Sequence, residues 1–151
     1  MMIERAERNP QPILGVREVV RMTAFQDFFG RAFGAAAADL GRQEAAPAGP
    51  PVALYRGPVT TTVDVTAGFP VGQPVTPGDG LVTATLPGGP TVEAVHTGSY
   101  DSLSTTYAEV NAWIAEQGLT PEGEMWEEYL VGPDAEPDPS RWQTRVVFPV
   151  R

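Results

Sequence analysis

The run MWEEYLVGP, Met125–Pro133, places two adjacent carboxylates, Glu127 and Glu128, among aromatic and aliphatic residues. In an extended chain, side chains alternate between faces, so Glu127 shares one side with Tyr129 while Trp126, Glu128 and Leu130 share the other. If one face is buried, one glutamate is buried with it. A carboxylate in an apolar pocket is costly unless it is hydrogen-bonded, paired or neutralised by a proton. A lipophilic cation can supply the missing partner, and each aromatic face it meets adds about 0.5 to 2 kcal/mol according to desolvation. Such a pocket selects by charge and shape and is promiscuous. The same burial raises the carboxyl pKa toward neutrality, where it could act as a general base.

Other chemistries find less support. There is no cysteine, which excludes disulfide scaffolds, thiolate nucleophiles and cysteine-based zinc sites. His96 is the sole histidine; it lacks neighbours with metal-ligand spacing and is read as a satisfied residue at a strand–helix junction, a pocket residue or a base. No metal or cofactor is expected. Ser99 and Ser102 flank a helix start and are expected to cap it, and no nucleophile elbow accompanies them. Gly78-Asp79-Gly80 is a turn without a phosphate-loop lysine. The net charge of -9 argues against contact with nucleic-acid phosphates and favours cations. The charged N-terminus and the short apolar runs predict neither signal peptide nor membrane span, so a soluble cytoplasmic protein is expected.

These residues must be positioned by elements that the sequence repeats. A shift of 79 residues carries Phe69-Pro70-Val71 onto Phe148-Pro149-Val150, Val16 onto Val95, Ile13 onto Val92, and the turn at Asn9-Pro10 onto Gly88-Gly89. Tyr55 corresponds to Tyr129 after a gap of five. Strand pairs are predicted at 2–8 with 13–20, and at 81–86 with 91–97. Phe25, Phe28, Phe29, Ala32, Phe33, Ala36 and Leu40 make one helical stripe, opened by a capping box at Thr23 and Gln26. Leu103, Tyr107, Val110 and Ile114 make the second, ended by Gly118. Further strands are predicted at 52–57 and 61–67, then at 126–131 and 142–148. With 151 residues the chain supports one α+β domain of two ββαββ repeats, about 1–75 and 80–151, related by a pseudo-two-fold axis. A central cleft between the halves is the expected ligand site.

The second half resembles the GyrI-like small-molecule-binding family, the effector domains of AraC-type and MerR-type multidrug regulators, also found alone. The resemblance rests on His96-Thr97-Gly98-Ser99-Tyr100 entering the helix, Trp113 and Gly118 near its end, Glu127-Glu128-Tyr129, the loop PDAEPDPS, and Phe148-Pro149-Val150. The first half matches through ILGVREVV and VALYRG. The family implies an SHS2/GyrI-like fold around a cleft, in which a strand glutamate, here Glu127, meets bulky cationic or aromatic compounds. Glu128 then points to solvent or the sheet edge. Tyr129, Tyr100, Tyr55 and Trp142 are candidate walls, with His96 a further one; for Tyr100 and Tyr129 a core role, and for Trp142 a core or rim place, stand beside this. Trp126 is expected in the core under the helices, and Trp113 in helix packing. Many members carry Thr-Glu where this chain has Thr144-Arg145.

The function implied is a stand-alone binder of hydrophobic, cationic or aromatic small molecules, a drug sensor or sequestering protein that reaches transcription only through a partner chain. The alternative is a hydrolase of reactive cyclopropane-containing compounds, with Glu127 as base and Tyr129 beside it. A third is a protein–protein role like that of the gyrase-inhibiting members.

Overall fold

The computed structural model describes residues Met1–Arg151. The elements follow in the order β1 (Ile3–Arg8), β2 (Gln11–Arg21), α1 (Phe25–Arg42), β3 (Val52–Arg56), β4 (Thr62–Pro70), β5 (Val82–Leu86), β6 (Gly89–Thr97), α2 (Leu103–Glu116), β7 (Glu124–Val131) and β8 (Gln143–Pro149). The predicted succession of strands and helices is present. The helix starts differ, because a short 3-10 turn precedes each helix, at Met22–Ala24 and Tyr100–Ser102. These turns engage the first amides through i to i+3 bonds, so neither Thr23 nor Ser99 nor Ser102 caps through its side chain. Gly118 does end α2 as expected: its φ of 71° lets Leu119 N–H reach the Ile114 carbonyl at 3.1 Å.

All eight strands form one antiparallel sheet, ordered β1-β6-β8-β7-β3-β4-β2-β5. The predicted pairs around the short turns do not form: β1 pairs with β6 (Ile3 opposite Ala94) and β5 with β2 (Leu86 opposite Gln11). Geometry explains the sheet's shape. The links Asn9-Pro10 and Pro87-Gly88 span at most about 11 Å, whereas strands six places apart in a flat sheet lie about 29 Å apart. The sheet must therefore curl until its ends meet, and it forms a half-barrel. The two links touch, since a Cβ on Gly88 would stand 2.6 Å from the Pro10 ring.

Curling gives the sheet two buried faces. Inside the curl, Ile13, Val52, Leu54, Leu86, Trp126 and Val147 pack together without any helix. On the other face α1 covers Val20, Ala53, Val65 and Ala67, and α2 covers Val92, Ala94, Val146 and Phe148. The central strands β3 and β7 lie between the two helices, with Ala53 opposite Glu127. Where β2 crosses β4, Gly15 faces Gly68, and a methyl group on Gly68 would overlap the Leu14 carbonyl. We expect Gly68→Ala to destabilise the domain by about 1 to 3 kcal/mol through overpacking, measured by urea denaturation.

Candidate functional site

Between α1 and α2, above the β3–β7 pair, lies a cavity of about 1440 Å³. Its walls come from both halves of the chain: Phe25, Phe29 and Phe33 on α1, Tyr55 on β3, Tyr107 on α2, and Met125, Glu127 and Tyr129 on β7. Aromatic rings line it in a chain of contacts. Phe29 stacks on Phe33 at 5.7 Å between centroids, and both meet the Tyr129 ring, at 6.3 and 6.0 Å. Tyr129 meets Tyr100 at 6.0 Å, and Tyr100 lies 4.9 Å from Trp142. No arginine is among the lining residues, and the chain contains no lysine.

Glu127 is 4% exposed. Its only hydrogen-bond partners are two phenols, the Tyr129 hydroxyl donating at 2.6 Å and the Tyr55 hydroxyl at 2.9 Å, both to Oε1. No protein group donates to Oε2. Burial pushes the Glu127 pKa up, and the two tyrosine hydrogen bonds and nearby His96 offset only part of the rise. Burial and the adjacent carboxylate likewise raise the Tyr55 and Tyr129 pKa values well above that of free tyrosine, so both phenols remain donors at neutral pH. A buried acid with one free oxygen, facing aromatic walls and no counter-charge, is arranged to receive a cation or a proton.

The family model for the GyrI-like small molecule binding domain matches residues 1–151. The chain belongs to that family. Similar folds occur in the C-terminal domain of EcmrR (TM-score 0.83, 19% identity, 99% of this chain and 97% of that one). The EcmrR–DNA complex aligns with TM-score 0.86 and 18% identity over 99% of this chain but 57% of that one, so the chain spans little more than half of that protein. SAV2435 bound to tetraphenylphosphonium aligns with TM-score 0.72 and 13% identity, covering 100% of this chain and 94% of that one. A hydrolase encoded by lin2189 from Listeria innocua aligns with TM-score 0.67 and 16% identity, covering 99% and 91%. No curated relative matches the sequence. At these identities the structural likeness establishes the fold.

In this GyrI-like domain, Glu127, Tyr129, Tyr100, Tyr55 and Trp142 converge on the one cavity. His96 does not line it. The ring is 6% exposed, with Nδ1 2.6 Å from the Thr106 hydroxyl and Nε2 3.0 Å from the Ser99 carbonyl and 3.1 Å from Ser102 Oγ. His96 thus ties the strand–helix junction together. Trp142 sits at the cavity wall with its indole N–H donating to the Glu136 carbonyl at 2.8 Å, which fastens the acidic loop. Trp113 packs against the core under α2.

Glu128 departs from expectation. It is 7% exposed, inside the curl, where it accepts from Trp126 Nε1, Arg8 Nη1 and Arg145 Nη1, each at 3.0 Å. Arg8 also grips Glu93 with two bonds of 2.7 Å. Trp126 is core, as expected, but on this helix-free face and not under the helices. Arg145 belongs to the same network, so the residue standing where many members have glutamate lies outside the cavity. The phenylalanines of α1 are legible as a stripe, yet their cavity role is not: seven apolar positions are ordinary for a helix of this length, and the row Phe25, Phe29, Phe33 that lines the cavity runs beside the row Phe28, Ala32, Ala36 that meets the sheet.

Proposed function

We propose that this domain captures hydrophobic cations and aromatic cations in the cavity, for sensing or sequestration, with Glu127 as counter-ion. One observation carries the reading: a carboxylate buried to 4% exposure, with one oxygen unpartnered, in an aromatic cavity without a cationic residue. The tetraphenylphosphonium bound to SAV2435 belongs to the same chemical class. The walls are Tyr129, Tyr100, Tyr55 and Trp142, and the roughly two-fold arrangement of halves 1–75 and 80–151 accounts for a cleft built from both. Any effect on transcription runs through a DNA-binding partner or segment other than this domain, whose negative net charge disfavours direct contact with phosphates.

The test is titration with tetraphenylphosphonium against neutral triphenylphosphine oxide, followed by tryptophan fluorescence. The cation should bind and the neutral compound bind far more weakly; equal affinities would remove the carboxylate from the account.

A pH dependence follows from the raised Glu127 pKa. As pH falls through that pKa the carboxyl takes up a proton and loses the charge that holds the cation. Affinity should therefore drop by up to about tenfold per pH unit below it, and binding should release a proton. Calorimetry in buffers of different ionisation enthalpy measures that release directly.

The raised pKa also favours a second reading, hydrolysis of reactive small molecules, in which Oε2 of Glu127 draws a proton from water while Tyr129 positions the base. Turnover by catalytic amounts of protein, lost in Glu127→Gln while binding of a neutral substrate persists, would establish it.

A further inference from the structure

The cavity holds more negative charge than one buried acid accounts for. Asp101 and Asp134 also line it, at the mouth, and both are exposed. None of the ion pairs in the chain uses either residue. Two unpaired surface aspartates would not mark a site by themselves. Deeper in the same cavity, however, the buried Glu127 carboxylate keeps an oxygen without a protein donor, and a continuous path of rings joins the two places. Tyr129, hydrogen-bonded to Glu127, meets Tyr100 at 6.0 Å, and Tyr100 meets Trp142 at 4.9 Å. Tyr100 is 38% exposed, so its ring faces the mouth. Burial, then Glu127, then Asp134 raise its pKa, which places the phenol in the field of both acids. Opposite a cavity of three carboxylates stands no arginine.

We propose that the site takes elongated dications, one cationic head at Glu127 and the second against the Tyr100–Trp142 pair between Asp101 and Asp134. This rests on the cation-capture reading above and narrows it to a ligand class. The inner head is desolvated and held by a charge that salt reaches poorly. The outer head is held by cation–π contact and by exposed carboxylates, so its contribution is screened. A ligand with one head leaves the mouth charges unanswered.

The test compares decyltrimethylammonium with decamethylene-bis(trimethylammonium), which share one spacer and differ by one head, using calorimetry on the full chain. The dication should bind about tenfold more tightly, equivalent to about 1.4 kcal/mol. In the double variant Asp101→Asn, Asp134→Asn that ratio should fall toward about two, the statistical value for a ligand with two equivalent heads, stopping short of it only by what the remaining cation–π contact contributes. Raising the salt concentration should shrink the wild-type ratio toward the same value. Both positions are exposed, so folding of the variant is readily verified by circular dichroism. If the single-headed ligand binds and the dication gains nothing, the mouth subsite is refuted while cation capture stands. If the advantage survives undiminished in the double variant, the assignment to Asp101 and Asp134 is refuted. If neither ligand binds the wild type, the cation-capture reading itself fails and the dication proposal with it.

Discussion

Glu127→Gln should weaken binding of a lipophilic cation by about 2 to 4 kcal/mol, roughly thirty- to thousand-fold, while making the ligand-free domain more stable. The loss follows because a buried cation without its counter-charge keeps only cation–π and apolar contacts. The gain follows because glutamine removes a desolvated charge. Its carbonyl oxygen can still accept from both Tyr55 and Tyr129, which now donate to the single oxygen Oε1. We expect an increase of about 1 to 3 kcal/mol at neutral pH, measured by denaturant unfolding. Since the folded pKa of Glu127 lies above the unfolded value, its favourable contribution is complete below the ordinary carboxylate range, near 4.5. That contribution is lost as pH rises through the folded pKa, so the wild type and the variant should converge in stability at low pH. A variant that binds normally, or one that is destabilised at neutral pH, would show that this carboxylate is structural.

The second large effect lies inside the curl. Arg8→Ala removes one partner from two buried acids, Glu93 and Glu128, whose side chains are 10% and 9% exposed. Stranding buried charge costs about 3 to 5 kcal/mol, and the 28% exposure of Arg8 argues for the lower part of that range. For Glu93, burial raises the pKa, but hydrogen bonds from Arg8 and Thr91, with the charges of Arg8 and Arg145, outweigh it and the net shift is downward. Its stabilising contribution is thus present above the unfolded pKa and lost as pH falls through the folded one. The wild type should lose stability on acidification below about pH 4.5, the ordinary value, and Arg8→Ala should lose less over the same range. Because the network sits on the face away from the cavity, cation affinity per folded molecule should be unaffected. Unfolding curves over a pH series, paired with titration of the folded fraction, check both statements.

These two acids show where sequence reading succeeds and where it stops. Strand parity separates Glu127 from Glu128 correctly, and the elements of both halves lie close to their predicted positions. Parity says nothing about whether the second face is also buried. That depends on the ends of the sheet meeting, which depends on β1 pairing with β6 and β5 with β2, and no local pattern encodes pairing between strands so far apart. Local turn chemistry at Asn9-Pro10 and Gly88-Gly89 instead suggests hairpins. Of the charged partners of Glu128, Arg145 faces it across the neighbouring strand β8, whereas Arg8 is visible only once the curl brings β1 toward β7. The α1 phenylalanines illustrate the converse: their period identifies the helix, but cavity wall and filled core require the same residues.

The exchange of first strands between the halves also constrains how the chain reaches its native state. Arg8 must await Glu93, 85 positions later, before its strand has a neighbour. Contacts of such separation carry a high loop-closure cost and slow the search. Neither half can be excised as a working module, because each would lack an edge supplied by the other. An unpaired β1 could complete a second molecule as readily as its own, so domain-swapped dimers are the expected by-product of refolding at high concentration.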